Sequence, residues 1–286
     1  MAIVAAMRAL VPLSIVLLLA ASGARAGETR CWFENGAVVV SAAFGDIAGD
    51  FILDLSAPHS QLHNTTAQTH GVEADSTRRD LVLAGEKLRG FEMPVVDLDA
   101  RSEGFVTGVN GVLGADVLEP FVVDIRFSPC VVKLSRHSSV RRLERGLPAR
   151  IVLKRQGGLE ARAPGGSLRL KVRRIAGVPA VAAAISDGVE SRQGWFAVDT
   201  ASQGTRIAGA GLSRTPPKGV DPADRPTPPA RLRALSLGGR LFEQTPAGLL
   251  TDAPSGLDGA IGDAVWSRYR LRLDLERGWL ELAPVP

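Results

Sequence analysis

The chain has 286 residues, of which 45% are apolar and 22% are charged. This ordinary globular composition excludes a mainly disordered, collagenous or coiled-coil protein. Lys and Arg together number 34 against 30 for Asp and Glu, and so balanced a chain does not predict nucleic-acid binding, which needs a concentrated basic face. The 2 cysteines are too few for a zinc-ribbon, iron–sulfur or knottin framework.

An apolar run near the start of the chain predicts a secretory signal peptide over residues 1–26. The run spans 9–21, follows Arg8 and precedes a small-residue A-x-A site, the pattern of a leader cleaved after Ala26. An uncleaved anchor is the alternative, but the apolar core is shorter than the roughly 20 residues that a spanning helix needs. We therefore expect bacterial export to the periplasm or the outside, with no membrane anchor after cleavage.

Export makes a disulfide permissible, and Cys31 and Cys130 are the two cysteines of the chain. Each lies in a strand-like run. A bond between them would close a loop of roughly 100 residues and contribute about 4–5 kcal/mol in the chain-entropy description. Two buried free thiols are the alternative.

Three blocks of sequence occur twice, in the same order and at nearly equal spacing. The first ends in Asp54 or Asp199, the second is a hairpin with a Pro-led strand, and the third contains a short helix, near 115–120 or 263–269. This pattern predicts duplication of a β-rich unit of roughly 100 residues. The matched pairs are 38–56 with 178–200, 81–97 with 235–252, and 108–127 with 256–275.

The repeats divide the chain into an N-terminal lobe at 27–135 and a C-terminal lobe at 166–286. The segment 136–165 between them is basic and glycine-rich, which favours a solvated connector over a contact with an anionic surface or substrate. A proline-rich stretch at 215–229 cannot form a central strand or helix. We expect it to be an inserted loop of the second lobe.

Asp54 and Asp199 each end an apolar run, where a carboxylate is costly unless its charge is satisfied. If the repeats pack about a pseudo-two-fold axis, the two carboxyl groups meet on that axis. They then share one proton, because two close carboxylates do not both ionise cheaply. One group can take a proton from water while the other donates a proton to a carbonyl oxygen. This predicts hydrolysis of a peptide bond by direct water attack, with no metal and no other cofactor.

The two aspartate loops resemble those of the pepsin-like and retropepsin-like aspartic proteases. Residues 51–57 and 196–202 are similar to the family's Asp-Thr/Ser-Gly loops, and 112–114 and 260–262 to the supporting hydrophobic-hydrophobic-Gly element. The likeness is to bacterial proteins with two retropepsin-like units in one chain, and it covers nearly all of 38–282 apart from the connector. It implies a mainly β fold of two retropepsin-like (acid protease) β-barrel lobes with pseudo-two-fold symmetry, and an extended polypeptide as substrate or ligand.

The resemblance implies a role for each matched position. Asp54 and Asp199 take the places of the catalytic pair, and the Thr200 hydroxyl takes the place of the group that ties the two loops together. The remaining matched positions, at the fourth place of each loop and at the supporting glycine, are Ala57, Ser202, Gly114 and Gly262.

Three positions depart from the family's pattern. Leu55 stands where the family has Thr or Ser, so half of the hydroxyl bridge is missing. Ser56 and Ala201 stand where the family has a glycine, whose amide approaches the carboxylate and where a Cβ can disturb the turn. Ser56 could instead offer its own hydroxyl to Asp54. These departures leave a catalytically inactive peptide-binding or scaffold protein on the same fold as the alternative to an aspartic endopeptidase.

A flap over the cleft would need another source than the tyrosine of pepsin-like enzymes. The single tyrosine, Tyr269, lies in the second helix block. The Leu81–Met93 hairpin is the candidate flap.

Three histidines follow the first aspartate: His59, His63 and His70. The spacing of the first two could present a pair of imidazoles to a metal if they lay on a helix. Pro58 and the polar residues after His63 favour a loop, so we interpret them as exposed loop histidines and predict no metal site.

Overall fold

The computed structural model describes residues 27–137, 166–208 and 230–285. The predicted signal peptide, the proline-rich stretch and nearly all of the predicted connector lie outside these ranges. Within them, no helix has the length and apolar character needed to cross a membrane.

The N-terminal lobe is built mainly from strands, with three short helices among its described residues. Its elements are β1 (Glu28–Glu34), β2 (Ala37–Phe44), β3 (Ile47–Leu53), β4 (Gln61–His63), α1 (Asn64–Thr69), β5 (Ser76–Leu83), β6 (Glu86–Val96), α2 (Asp99–Ser102), β7 (Gly111–Leu113), α3 (Ala115–Leu118), β8 (Phe121–Phe127) and β9 (Cys130–Arg136).

The C-terminal lobe has the same succession of long strands. Its elements are β10 (Leu168–Ile175), β11 (Val178–Ser186), β12 (Ser191–Val198), β13 (Thr205–Ala208), β14 (Ala230–Leu237), β15 (Arg240–Leu250), β16 (Gly259–Ile261), α4 (Asp263–Trp266), β17 (Tyr269–Asp274) and β18 (Trp279–Pro284).

Alternation of apolar and charged residues places the strands against the core. In β10, Leu170 and Val172 are buried whereas Lys171 and Arg173 are exposed, as the two-residue period of a strand requires. Runs that are apolar at nearly every position, such as 38–40 in β2, are buried on both faces. The local pattern therefore decides which strands lie inside each lobe.

The strand pairings of one lobe recur in the other. Strands β3 and β7 run parallel with Phe51 opposite Gly111, and β12 and β16 run parallel with Phe196 opposite Gly259. Strand β2 pairs with β3 and β5, and β11 pairs with β12 and β14. The two lobes share one topology, which confirms the predicted mainly β, two-lobed fold.

A six-stranded antiparallel sheet joins the lobes, in the order β1, β9, β8, β17, β18, β10. Its central pair is β8 with β17, where Ile125 lies opposite Leu271. Arg270 of one lobe donates two hydrogen bonds to Asp124 of the other, at 2.7 and 2.5 Å. The hydrogen bond to Asp124 raises the pKa of Arg270. This ion pair joins neighbouring strands of the two lobes.

Cys31 and Cys130 form a disulfide, which confirms that prediction. The bond joins β1 to the start of β9 with a Cα–Cα distance of 4.9 Å. Beside it, the rings of Phe33 and Phe127 meet edge to face at 5.3 Å between centroids. The N-terminal strand is thus tied covalently to the sheet that joins the lobes.

The helices agree only in part with the sequence predictions. Helices α3 and α4 lie within the two predicted helical segments, whereas α1 forms where we expected a loop and α2 in a segment for which we predicted no helix. His63 caps α1 by accepting the Thr65 N–H at 3.2 Å, and only 5% of its surface is exposed. The interpretation of His63 as an exposed loop residue is therefore wrong, because the helix draws its side chain inward. His59, with 77% of its side chain exposed, agrees with the prediction.

Candidate active site

Asp54 lies at the end of β3 and is almost fully buried. Its backbone N–H donates to the Leu113 carbonyl at 2.9 Å, which ties it to β7. Its Oδ1 accepts two hydrogen bonds from Ser56, one from the N–H and one from the hydroxyl, each at 2.7 Å. The Cβ of Ser56 therefore does not keep its amide from the carboxylate, and the residue adds a hydroxyl donor.

Asp199 lies at the same point of the second lobe, at the end of β12, and is fully buried. Its backbone N–H donates to the Ile261 carbonyl at 3.0 Å. Its Oδ1 accepts the Ala201 N–H at 2.9 Å, and its Oδ2 accepts the Ser202 hydroxyl. The Oδ1 atom of each aspartate thus accepts the backbone N–H of the residue two positions ahead, although neither loop has a glycine there.

The Thr200 hydroxyl connects the two aspartate loops. It donates to the Leu53 carbonyl at 2.7 Å and accepts the Leu55 N–H at 3.1 Å. The Thr200 carbonyl in turn accepts the Val38 N–H at 2.9 Å. Leu55 is fully buried and has no hydroxyl to return the contact. One side chain therefore makes the bridge that two would make in a symmetrical pair.

Thr200→Val should destabilise the protein by about 2–6 kcal/mol. Valine has nearly the same shape but leaves the Leu53 carbonyl and the Leu55 N–H buried and unpaired, at a cost of roughly 1–3 kcal/mol for each group. Urea unfolding followed by circular dichroism measures the change. Thr200→Ser, which keeps the hydroxyl, should lose only about 0.8 kcal/mol for the methyl group. Equal losses for the two variants would contradict the assigned role of the hydroxyl.

Gly114 and Gly262 lie where each aspartate loop touches the segment beneath it. A Cβ on Gly114 would lie 2.7 Å from the Ala57 carbonyl oxygen, and a Cβ on Gly262 would collide with the Ser202 carbonyl oxygen. The following residues donate their N–H groups to the same two carbonyls, each at 2.8 Å. Glycine is needed at both positions because the backbones approach so closely.

Two arginines that the sequence analysis missed bind the aspartates. Arg101 of α2 contacts Asp54 Oδ2 through Nη2 at 2.5 Å, and Arg206 of β13 contacts Asp199 Oδ2 through Nη2 at 2.5 Å. Arg206 follows Asp199 closely in sequence and could have been considered. Arg101 could not, because α2 was not predicted and nothing in the sequence places it opposite Asp54.

The buried setting changes the protonation of Asp199. Burial raises its pKa, and the negative charge of Asp54 raises it further, whereas Arg206 and the Ser202 hydroxyl lower it. The Thr200 hydroxyl, next to Asp199 in the chain, bonds the residues on either side of Asp54, which brings the two aspartate loops together. Asp54 and Asp199 are called the aspartate pair below.

Asp263, the first residue of α4, is a third buried carboxyl group next to the aspartate pair. It is fully buried, and within the described part of the chain neither of its side-chain oxygens has a hydrogen-bond partner. Burial and the negative charges of Asp199 and Asp54 raise its pKa well above the ordinary value. The sequence analysis missed this residue, whose place in the other lobe is taken by Ala115.

Asp263→Asn should make the protein more stable than the parent as the pH rises. Because the native state raises the pKa of Asp263, its stabilising contribution is complete below the unfolded value of 3.8 and is lost as the pH rises through the native value. Each unit of pKa difference corresponds to about 1.4 kcal/mol. Asparagine is neutral throughout, so its advantage in melting temperature should grow as the pH is raised from about 4 towards neutrality.

Asp116→Asn is the matched control for this prediction. Asp116 lies one position further along in the equivalent turn of the other lobe, and its carboxylate accepts the Ser60 N–H and hydroxyl. Its variant should show no growing advantage with pH. Parallel melting curves for the parent and Asp263→Asn across that range would contradict the prediction.

A cavity of about 550 Å³ is lined by both lobes and by Asp54, whereas Asp199 is not among its lining residues. It is called the inter-lobe cavity below. Asp54, Ser56, Ala57 and Ala201, all predicted site positions, face it together with both arginines. Its remaining lining is Asn35, Ile52, Pro58, Gln61, Ala100, Glu103, Phe105, Ala197, Leu250, Asp252, Pro254, Leu257, Gly259 and Ala260.

The Leu81–Met93 hairpin does not close over this cavity, so the flap prediction is wrong. Its strand β5 pairs with β2, where Leu81 lies opposite Phe44, and the turn residue Ala84 accepts the Gly27 N–H at 2.7 Å. These contacts hold the hairpin on the core of its lobe. The segment with α2, residues 100–105, lines the cavity instead.

Most of the chain is similar in structure to a solved aspartic proteinase. The crystal structure of aspartic proteinase from Irpex lacteus matches 91% of this chain over 97% of its own length, with a TM-score of 0.52 and 13% identity. The fold is that of an aspartic proteinase. At this identity the likeness shows the fold alone, and no family model or curated protein matches the sequence. The assignment to bacterial proteins with two retropepsin-like units stays a prediction.

Proposed function

We propose that this protein is an aspartic-type endopeptidase that cleaves an extended polypeptide by direct attack of water. One observation carries the proposal: Thr200 ties together two loops that each hold a buried aspartate, and Asp54 lines a cavity formed by both lobes. Equivalent strand ends supply the two carboxyl groups, and each Oδ1 receives an amide N–H from its own loop.

The chemistry needs the aspartate pair to hold one proton. The ionised carboxylate takes a proton from a water molecule as the water oxygen bonds to the carbonyl carbon of the peptide. The other carboxyl group donates its proton to the carbonyl oxygen, which gives a neutral diol. The C–N bond then breaks as the nitrogen accepts the proton that was taken from water, and one diol hydroxyl returns its proton to the other carboxylate as the carbonyl re-forms. The products are a carboxylic acid and an amine, and the pair again holds one proton. The raised pKa of Asp199 favours retention of the shared proton.

A second candidate function is non-catalytic binding of an extended polypeptide in the inter-lobe cavity. It is favoured by the ion pairs at the aspartates, since Arg101 contacts Asp54 Oδ2 and Arg206 contacts Asp199 Oδ2. Guanidinium groups at this distance stabilise the ionised forms, which hold no proton to donate.

We also propose that the protein acts outside the cytoplasm, in the periplasm or as a secreted protein. A disulfide between Cys31 and Cys130 supports this, because such bonds persist in oxidising compartments. The signal peptide predicted over residues 1–26 would provide the export route.

Digestion of a diverse peptide library by the purified protein tests the proposed function. Products should appear at acidic pH, and a statine-type inhibitor, which mimics the diol, should suppress them and raise the melting temperature. Mass spectrometry identifies the cleaved bonds. Absence of cleavage across the acidic and neutral range, together with measurable binding of intact peptides, would favour the second candidate.

A further inference from the structure

We propose that Arg101 and Arg206 are positioning residues that favour the ionised form of the aspartate pair, so that the pair gives up the proton needed for hydrolysis at a lower pH than it would without them. The inference rests on the proposed function and names how that same site is regulated. It is drawn from the two arginine contacts and their places in the fold.

The two arginines come from positions that are not equivalent in the two lobes. Arg206 lies in β13 opposite Ala260, and the matching residue of the first lobe is Gln61 in β4, opposite Val112. The first lobe supplies its cation instead from α2, through Arg101. Copying of one half therefore does not account for both contacts. The two lobes therefore supply a guanidinium group to their own aspartates from non-equivalent positions.

Both guanidinium contacts are directed at Oδ2 atoms and both backbone amides at Oδ1 atoms, and the Ser202 hydroxyl also donates to Asp199 Oδ2. Each guanidinium donates to an Oδ2 atom at 2.5 Å, while each Oδ1 accepts a backbone N–H at 2.7 or 2.9 Å. All four contacts favour the ionised form of the carboxyl groups. Two carboxylates and two guanidinium groups balance in charge, so the doubly ionised pair is stabilised beneath the inter-lobe cavity.

The other charged and titratable groups around the pair are carboxylic acids and one histidine. Asp263 of α4 lies beside the pair, and its burial favours its neutral form. Glu103 and Asp252 line the inter-lobe cavity from opposite lobes. Behind α2, His63 Nε2 lies 3.2 Å from Asp99 Oδ1. Among the described residues that line the inter-lobe cavity, Arg101 and Arg206 are the cations.

A direct consequence is a pH limit on catalysis. The pair works as an acid and a base only when it holds one proton, so activity falls as the pH rises through the loss of that proton. A cation at hydrogen-bonding distance lowers the pKa of a carboxyl group by roughly 1–3 units. Loss of either arginine should therefore carry activity to higher pH.

The experiment compares Arg101→Gln, Arg206→Gln and the double variant with the parent, using kcat/KM for a peptide from the library digest at a series of pH values. The alkaline limb of the profile should move up by roughly 1–3 pH units in the glutamine variants. Arg206→Lys, which retains a positive charge, should lie close to the parent. Arg174→Gln is the matched control, since it removes an ion pair of 2.8 Å to Glu119 outside the cavity, and its profile should not move.

A titration of the side-chain carboxyl carbons by NMR provides a readout that does not need activity. In the parent, the last proton of the aspartate pair should be lost at a lower pH than in Arg101→Gln or Arg206→Gln. If no peptide is cleaved at any pH but this shift is seen, the proposed function fails and the role of the arginines stands. If the parent cleaves peptides and neither the profile nor the titration shifts, the inference is wrong.

Discussion

Asp199→Asn should lower kcat/KM for peptide cleavage at acidic pH by a factor of roughly 10²–10⁴, the usual contribution of a positioned acid or base. Asparagine keeps the size of the side chain and can still accept the Ala201 N–H, but it neither takes a proton from water nor holds one for the carbonyl oxygen. Asp54→Asn should have a similar effect, because the pair works as a unit. The measurement is single-peptide kinetics with the parent and each variant.

Peptide binding separates this loss from a loss of structure. Both variants should bind an intact peptide with an affinity close to that of the parent, measured by fluorescence anisotropy. Asp80→Asn is a suitable control, because Asp80 pairs with Lys87 at 2.7 Å and does not line the inter-lobe cavity. Cleavage that survives both Asp54→Asn and Asp199→Asn would reject the proposed mechanism.

Replacing both cysteines, Cys31→Ala with Cys130→Ala, should destabilise the protein by about 4–5 kcal/mol. The bond closes a loop with a sequence separation of 99 residues, and opening it restores that freedom to the unfolded chain. For a protein of this size the melting temperature should fall by roughly 10–15 °C. Differential scanning calorimetry measures the change.

Reductant distinguishes the bond from the side chains that form it. The parent treated with dithiothreitol should melt near the temperature of the double variant, and the variant should be insensitive to the same treatment. Alkylation of both cysteines in the untreated parent, or equal melting temperatures with and without the bond, would contradict the prediction.

The arginine contacts make the aspartate pair different from two carboxyl groups that interact only with each other. A guanidinium group lowers the pKa of the carboxyl group that it binds, whereas burial and a second carboxylate raise that pKa. For Asp199 burial is the largest influence, and the charge of Asp54 comes next, ahead of Arg206. The pair therefore retains a tendency to hold a proton in spite of its two cations.

The repeated sequence blocks predicted most of the fold because they are local patterns. Apolar runs, glycine turns and the short helices near 115–120 and 263–269 repeat in order, and strands with helices α3 and α4 formed where those patterns lie. The pairing of Cys31 with Cys130 followed from their being the two cysteines of the chain. Helix α1 was missed because His63 caps it through a contact that a loop-forming sequence does not reveal.

The candidate site divides in the same way. Asp54 and Asp199 could be identified from the sequence because each ends an apolar run of a repeated block, and Thr200 could be identified from the resemblance to the aspartic proteases. The environment of these residues could not. Whether Ser56 and Ala201 would disturb their turns depended on backbone geometry, and both amides reach their carboxylates.

By itself, the sequence determined two β-rich halves and a twin pair of acidic residues, because strand periodicity and repetition are properties of neighbouring residues. Only the tertiary structure decided which charges meet those acids. Arg101 lies 47 residues from Asp54 in sequence, and Asp263 is isolated from any partner by packing among the described residues. Contacts between distant segments depend on how the chain folds, and burial then sets how strongly the charged groups interact. Those two factors govern whether the pair holds its proton.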